Sequence, residues 1–396
     1  MSAAAAAAPA RVPLRAVLRA PGFAWLFGAS MVGRVPAFGI GLVLVLRTRE
    51  LTGSFAAGGV VAGISALAMC VSAPVLGRLV DRRGQAVVLS GCAALSAAGM
   101  LALGLLPHGA GMAAAAACAV ATGLGFPPLG ACLRAALPAL LPDRERRHAA
   151  FALESAMTEV TYVAAPLLVA VSIAVGGTRT AAIACAVLAP LGVAAFVAHP
   201  AARSWRPGAA GERHPGGALR SRGVRSLLFV FALVGVTFGA VEVAVPAAAG
   251  AGAAGFLLSL WGAGSLAGGL TAARAPAPAD GARRLRRLLA GLAAGHLLLV
   301  PAGGPVALAF LLPAAGLAIA PTFACTFALV EEVAPPGALT EAYTWLSTGI
   351  GGGIAAGAAV AGALAQSSGP AAAFAFAAAA AAAGAGLAVV SRLRAA

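Results

Sequence analysis

At 396 residues, 61% hydrophobic and only 10% charged, the chain cannot build a water-facing surface, since soluble proteins carry about 25% charged residues. A formal charge of +15 is a common mark of nucleic-acid binding, yet all 27 basic residues are arginines in short segments between long apolar runs. Nucleic acid is therefore excluded as a partner, and the lipid bilayer takes its place.

Residues 1–21 begin with an alanine-rich run ahead of Arg11, Arg15 and Arg19. They lack the basic-then-apolar order of a secretory signal and read as a disordered cytoplasmic tail. Six apolar runs follow over 22–46, 55–76, 86–106, 110–133, 149–175 and 178–198, each near the roughly 20 residues that span a bilayer core as a helix. The hydrophilic stretch 199–225 is rich in Arg, Gly and Pro and has no periodic apolar face, so it reads as a flexible cytoplasmic linker. Six more runs cover 226–249, 252–274, 287–303, 304–330, 341–366 and 370–391, with residues 392–396 as a second cytoplasmic tail. The run 287–303 is the weakest, being short and ending in Pro301 and Gly303.

The sequence thus predicts an all-α membrane protein of twelve transmembrane helices in two six-helix halves. With a cytoplasmic N-terminus, the inside segments hold 23 of the 27 arginines; the outside ones hold Arg47, Arg49 and Arg179, and Arg34 lies within the first span. That asymmetry predicts a multi-pass protein of the cytoplasmic membrane with both termini inside. The six cysteines lie in or at the edge of apolar runs and form no C-x-x-C pair, which reads as packing rather than metal or redox chemistry. Weak echoes link the halves: Met31-Val32-Gly33 aligns with Leu233-Val234-Gly235, and Ala150-Phe151 with Ser155 aligns with Ala342-Tyr343 and Ser347.

Between the second and third runs lies Gly77-Arg78-Leu79-Val80-Asp81-Arg82-Arg83-Gly84-Gln85. Glycines 77 and 84 permit a tight turn and close helix approach. An acid at a helix start is stabilised by the helix dipole and by guanidinium partners. The pattern Gly77-x-Leu79-x-Asp81-Arg82-x-Gly84 resembles the loop signature between helices two and three of the major facilitator superfamily, departing from it at Gln85 and Ala86. The resemblance implies a gate latch. Gly77, Asp81, Arg82 and Gly84 would form it, with Asp81 pairing with arginines and a helix N-terminus across the two halves in the outward-facing state. Two antiporter signatures of that family are incomplete. Thr122-Gly123-Leu124-Gly125 supplies glycines, but Arg134 falls at the cytoplasmic end of span four, and span five keeps only Ala165-Pro166.

Ionisable groups within spans cost about 3 kcal/mol or more at a helix centre and are functional candidates by default. Four stand out: Arg34, Glu154, Glu159 and Glu242. Pro36, just after Arg34, frees a backbone carbonyl and allows a bend in the first span. Glu154 and Glu159 lie about 140° apart around their helix. Glu159, nearer mid-membrane, is the expected partner of Arg34, and Glu154 reads as either functional or interfacial. Glu242 is the acid deep in the second half and has no evident partner nearby in sequence. Desolvation disfavours an unpaired carboxylate. An acid that gains or loses its partner as the halves rock therefore exchanges a proton.

His296 reads as a hydrogen-bonded packing histidine, and Tyr162, Trp261, Tyr343 and Trp345 as packing or interface residues. Glu331, Glu332 and Glu341 read as solvated, with arginines of other loops as possible partners. No catalytic constellation, metal spacing or cofactor motif is present, so the protein is not expected to be an enzyme or to carry a cofactor. The reading is a monomeric secondary active transporter of a small amphipathic organic molecule working by alternating access. The resemblance implies efflux driven by a proton gradient. An importer or facilitator of a metabolite, or a non-transporting sensor with the same fold, is the alternative.

Overall fold

A computed structural model describes residues 14–205, 217–249 and 251–390; the side chains of a few helical positions, Glu159 and Tyr162 among them, lie outside the described residues. The described chain is helical almost throughout. The helices are α1 (Leu14–Leu18), α2 (Phe23–Thr52), α3 (Phe55–Arg83), α4 (Gln85–Leu105), α5 (Met112–Leu124), α6 (Leu129–Leu140), α7 (Arg144–Ala198) and α8 (Pro200–Ser204). They continue as α9 (Arg222–Ala249), α10 (Ala251–Arg274), α11 (Gly281–Leu297), α12 (Pro305–Gly316), α13 (Ile319–Val333), α14 (Leu339–Ser368) and α15 (Pro370–Val390). In a bilayer every backbone polar group must be satisfied internally, which is why so apolar a chain closes all its long runs as helices. Ten stretches among the described residues are long and apolar enough to cross a membrane.

The predicted runs and the helices agree in order, and where they differ the cause is local. The fourth run continues past 133 because Gly125-Phe126-Pro127-Pro128 interrupts the helix and α6 then resumes to Leu140. Proline lacks the N–H the ladder needs, so the break falls where two prolines meet. The fifth and sixth runs are one long element broken at Gly176-Gly177, where Gly177 has φ 74° and ψ −173°. Only glycine occupies that region readily. The ninth run starts six residues earlier than expected, with α11 taking in four arginines.

Both predicted unstructured ends of the first half carry some order. Residues 14–18 form α1, with Val17 buried, and Pro200–Ser204 form α8, capped by the His199 ring, which accepts from the Ala201 N–H. Residues 206–216 of the expected linker lie outside the described residues, whereas Ala218–Arg220 form a 3-10 turn.

The helices pack as two groups, α2–α7 and α9–α15, meeting mainly through α3 with α14 and through α7 with α10 and α13. Within the second group α9 and α14 share the most extensive contact in the protein. Gly235 and Gly239 of α9 lie against the carbonyls of Ile350 and Ile354, and Gly353 and Gly357 of α14 lie against the backbone of Ala232 and Val236. Small residues four apart on both partners let the backbones touch, the favoured way to join helices in lipid. A Gly239→Leu substitution is expected to lower the melting temperature by about 1–4 °C, since overpacking costs about 1–3 kcal/mol. Thermal unfolding of the detergent-purified protein checks this, and an unchanged transition would mean that the α9–α14 contact is loose.

Candidate functional site: a buried charge centre and an interhelical latch

Glu154 lies on α7, eleven residues from its start, and is 1% exposed. Its Oε1 accepts from Arg34 Nη1 of α2 at 2.6 Å and from Arg134 Nη1 of α6 at 2.9 Å. Arg34 also donates to Thr158 Oγ1, one turn along α7, at 3.3 Å. Two guanidinium groups on different helices therefore share one carboxylate oxygen. Glu154 Oε2 and Arg134 Nε have no hydrogen-bond partner among the described residues. Gly130 makes room for the cluster, because a Cβ there would press on the Arg34 guanidinium and on Arg134. Burying three charges is costly, and leaving one without its partner is costlier, on the order of 3–5 kcal/mol.

Among the described residues the ionic partner of Arg34 is Glu154. Depth along the helix favoured Glu159; in the fold Glu154 takes the arginine, and the Glu159 side chain lies outside the described residues. Arg134 was expected at the end of its span, yet it is 5% exposed and six residues inside α6, because the span is longer than its apolar run.

Arg134 also reaches the other helix group. Its Cζ lies 4.1 Å from the ring centroid of Phe327 on α13 and 5.4 Å from that of Tyr343 on α14. A guanidinium over an aromatic face is attracted by the ring quadrupole, by about 2 kcal/mol when desolvated. Tyr343 is fully buried, and its hydroxyl donates to the Phe327 carbonyl at 3.1 Å. From Phe327 a chain of rings runs through Phe323 and Phe238 to Trp261 and then His296. Trp261 and Tyr343 are thus packed inside rather than anchored at an interface. His296 is fully buried with Nδ1 2.7 Å from the Leu292 carbonyl, in keeping with a packing role. Glu242 stands on α9 one turn beyond Phe238; it is exposed and makes no ion pair among the described residues.

The second feature is the junction at the arginine-rich face. The first turn of α14 has no side-chain cap of its own group. Asp81, at the end of α3, supplies it: Oδ1 accepts from the Thr340 N–H at 3.2 Å and Oδ2 from the Glu341 N–H at 2.8 Å. A carboxylate at a helix N-terminus satisfies orphan N–H groups and complements the dipole. Gly77, one turn earlier on α3, faces the Thr344 side chain and the Glu341 backbone so closely that a Cβ would collide. Gly84 turns the chain from α3 into α4 with φ 90°.

The expected arginine partners of Asp81 are corrected by the structure. Arg82 is exposed and makes no ion pair among the described residues. Arg78 instead crosses to Glu341 at 2.7 Å, and Glu341, expected to be solvated, is 2% exposed on its side chain. Two further pairs, Arg147–Glu331 at 2.9 Å and Arg144–Glu332 at 3.2 Å, join α7 to α13. Between them His148 is pushed down to about 4 by burial and by Arg284 and Arg144, and so stays neutral at pH 7. Gln85, where the loop departs from the family pattern, is buried and donates to the Cys132 carbonyl at 2.9 Å.

With helix packing and latch in place, comparison with known proteins decides the family. The family model described as "Major Facilitator Superfamily" matches residues 26–312, well over half of the chain. The chain belongs to the Major Facilitator Superfamily. No curated protein matches it. Among solved structures, the human organic anion transporter MFSD10 (TETRAN) is 17% identical, with a TM-score of 0.73 over 95% of this chain and all of that one. A bacterial homologue of the iron transporter ferroportin in an outward-facing state is 13% identical, with a TM-score of 0.73 over 93% and 98% of the two chains. The E. coli fucose:proton symporter FucP is 16% identical, with a TM-score of 0.65 over 93% and 97%. At these identities the likeness is one of fold. As a Major Facilitator Superfamily member, the chain is a multi-pass membrane protein of a transporter family.

Proposed function

We propose that the protein is a secondary active transporter that exports a small amphipathic organic molecule by alternating access in exchange for protons. In this reading twelve helices cross the cytoplasmic membrane in two six-helix halves, α2–α7 and α9–α15, with both termini inside. The arginine-rich face is then cytoplasmic, as the positive-inside rule requires. Asp81 on the α14 N-terminus, the Arg78–Glu341 pair and the two α7–α13 pairs hold that face shut, which makes this the outward-facing state.

The observation that carries the reading is the shared carboxylate of Glu154. Opening the cytoplasmic side must pull Arg134 from Phe327 and Tyr343, because they sit on opposite halves. That motion changes the surroundings of an oxygen held by only two guanidinium groups, and so alters its hold on a proton. Glu242, exposed on the opposite half and without an ion pair among the described residues, is the second proton-exchanging group, and Glu159 is a third candidate by its depth. The half-buried rings of Phe238 and Phe323 beside Glu242 give the substrate site an apolar wall of the kind lipophilic solutes need.

Dye retention in an efflux-deficient bacterium tests this, with wild type, Glu159→Gln and Glu242→Gln compared at matched membrane expression with and without a protonophore. Lipophilic-cation dye should be extruded by the wild type, and the protonophore and Glu242→Gln should each abolish extrusion. Retention equal to the empty vector would overturn broad export. Extrusion that survives the protonophore would overturn proton coupling and favour a facilitator.

A further inference from the structure

Helix α11 breaks a local rule. Four of its first seven residues, Arg283, Arg284, Arg286 and Arg287, are cations at the end where the helix dipole is already positive. Its first turn carries no acid. The carboxylate of the capping Asp280 is taken up by the Arg283 N–H at 2.8 Å and by the Arg283 guanidinium at 3.5 Å. Arg284, Arg286 and Arg287 make no ion pair among the described residues. Among the described residues only Asp280, through Arg283, forms an ion pair with this cluster.

Two geometric facts say where it points. At 100° per residue the four arginines cover an arc of about 160°, centred opposite Leu285, Leu289 and Leu292. Those three leucines are fully buried, and Arg283 and Arg287 on the opposite side are exposed, while Arg284 and Arg286 at the flanks of the arc are half-buried. The helix is also short. Its 17 residues rise about 25 Å, less than the roughly 30 Å of a bilayer core. With α11 crossing the bilayer as proposed, a helix that short places the guanidinium groups of its first turns at headgroup depth.

We infer that the arginine arc of α11 is a binding surface for anionic phospholipid headgroups, whose phosphates supply the counter-charge the protein omits. Guanidinium forks match phosphate oxygens in pairs, and juxtamembrane arginines are drawn to an anionic membrane surface. The inference rests on the membrane-crossing role proposed for α11 but not on the direction or energy source of transport, and lipid binding is read separately from dye extrusion.

The test is thermal unfolding and native mass spectrometry of the detergent-purified full chain titrated with phosphatidylglycerol, phosphatidylcholine or inorganic phosphate. Phosphatidylglycerol should raise the melting temperature and remain bound, and salt at about 0.5 M should weaken both effects. The double variant R283Q/R287Q should lose most of the shift. R15Q/R19Q, with the same change in net charge at two other exposed arginines, should keep it. Equal stabilisation by phosphatidylcholine or by inorganic phosphate, equal loss in both double variants, or a full shift in R283Q/R287Q would each overturn the assignment. Should R283Q/R287Q prove too unstable to purify, the comparison of the two lipids and the salt dependence in the wild type decide the question alone.

Discussion

Replacing Glu154 by glutamine should abolish gradient-driven transport and destabilise the fold by about 3 kcal/mol or more. The reason is electrostatic. In the native protein Arg34 and Arg134 converge on one carboxylate oxygen. With a neutral amide there, two guanidinium groups lie close together with no counter-charge, in a site where the Arg34 side chain is 15% exposed and the Arg134 side chain 6%. Glu154→Asp keeps the charge but draws it back by one methylene, and it should recover most of the stability while recovering little transport. A double-mutant cycle with Arg134→Gln separates the pair from the packing: removing both charges should cost less than the sum of the single changes. Dye extrusion at matched expression and thermal unfolding of the same preparations give the two readouts. Wild-type extrusion by Glu154→Gln would show that the charge centre is a structural tie with no part in coupling.

Asp81→Asn should act differently, leaving stability nearly intact and shifting the balance between the two faces. The aspartate caps α14 from the other helix group, so its charge stabilises only the state in which the arginine-rich face is closed. Removing that charge from a partly buried helix N-terminus costs about 1–2 kcal/mol, or roughly 5–30-fold in population toward opening. Spin labels at Arg146→Cys and Arg225→Cys, in a background lacking the six native cysteines, report the separation of the two groups at that face. The long-distance population should grow in Asp81→Asn and grow further when Arg78→Gln removes the neighbouring pair with Glu341. An unchanged distance distribution in both variants would leave the latch without a role in gating. The exposure of Arg82 predicts that Arg82→Gln leaves the distribution unaltered.

Much of the architecture was legible in the residues because it depends on local chemistry. Long apolar runs must become helices wherever lipid is the solvent, so their order needed no tertiary information. Gly77, Asp81 and Gly84 pointed to a tight contact because a missing Cβ and an acid at a helix end each have a physical use in the chain itself. Asp81 does meet a helix N-terminus of the other group, and among the described residues it pairs with no arginine. Charge pairing is a different matter, since it depends on which helix faces come together. Arg78 meets a glutamate 263 residues away. Arg34 takes Glu154 because α6 brings a second arginine to the same oxygen, and depth counted along α7 carries no information about α6. Arg134 lay hidden for a related reason: the Gly125–Pro128 break lets span four run on beyond its apolar stretch and carries the arginine inward. The sequence by itself determined a helical membrane protein and the residues available for ionic chemistry in it. Only the tertiary structure decided which charges meet, because a buried ion finds its partner by proximity in space, across helices whose relative rotation no local pattern encodes.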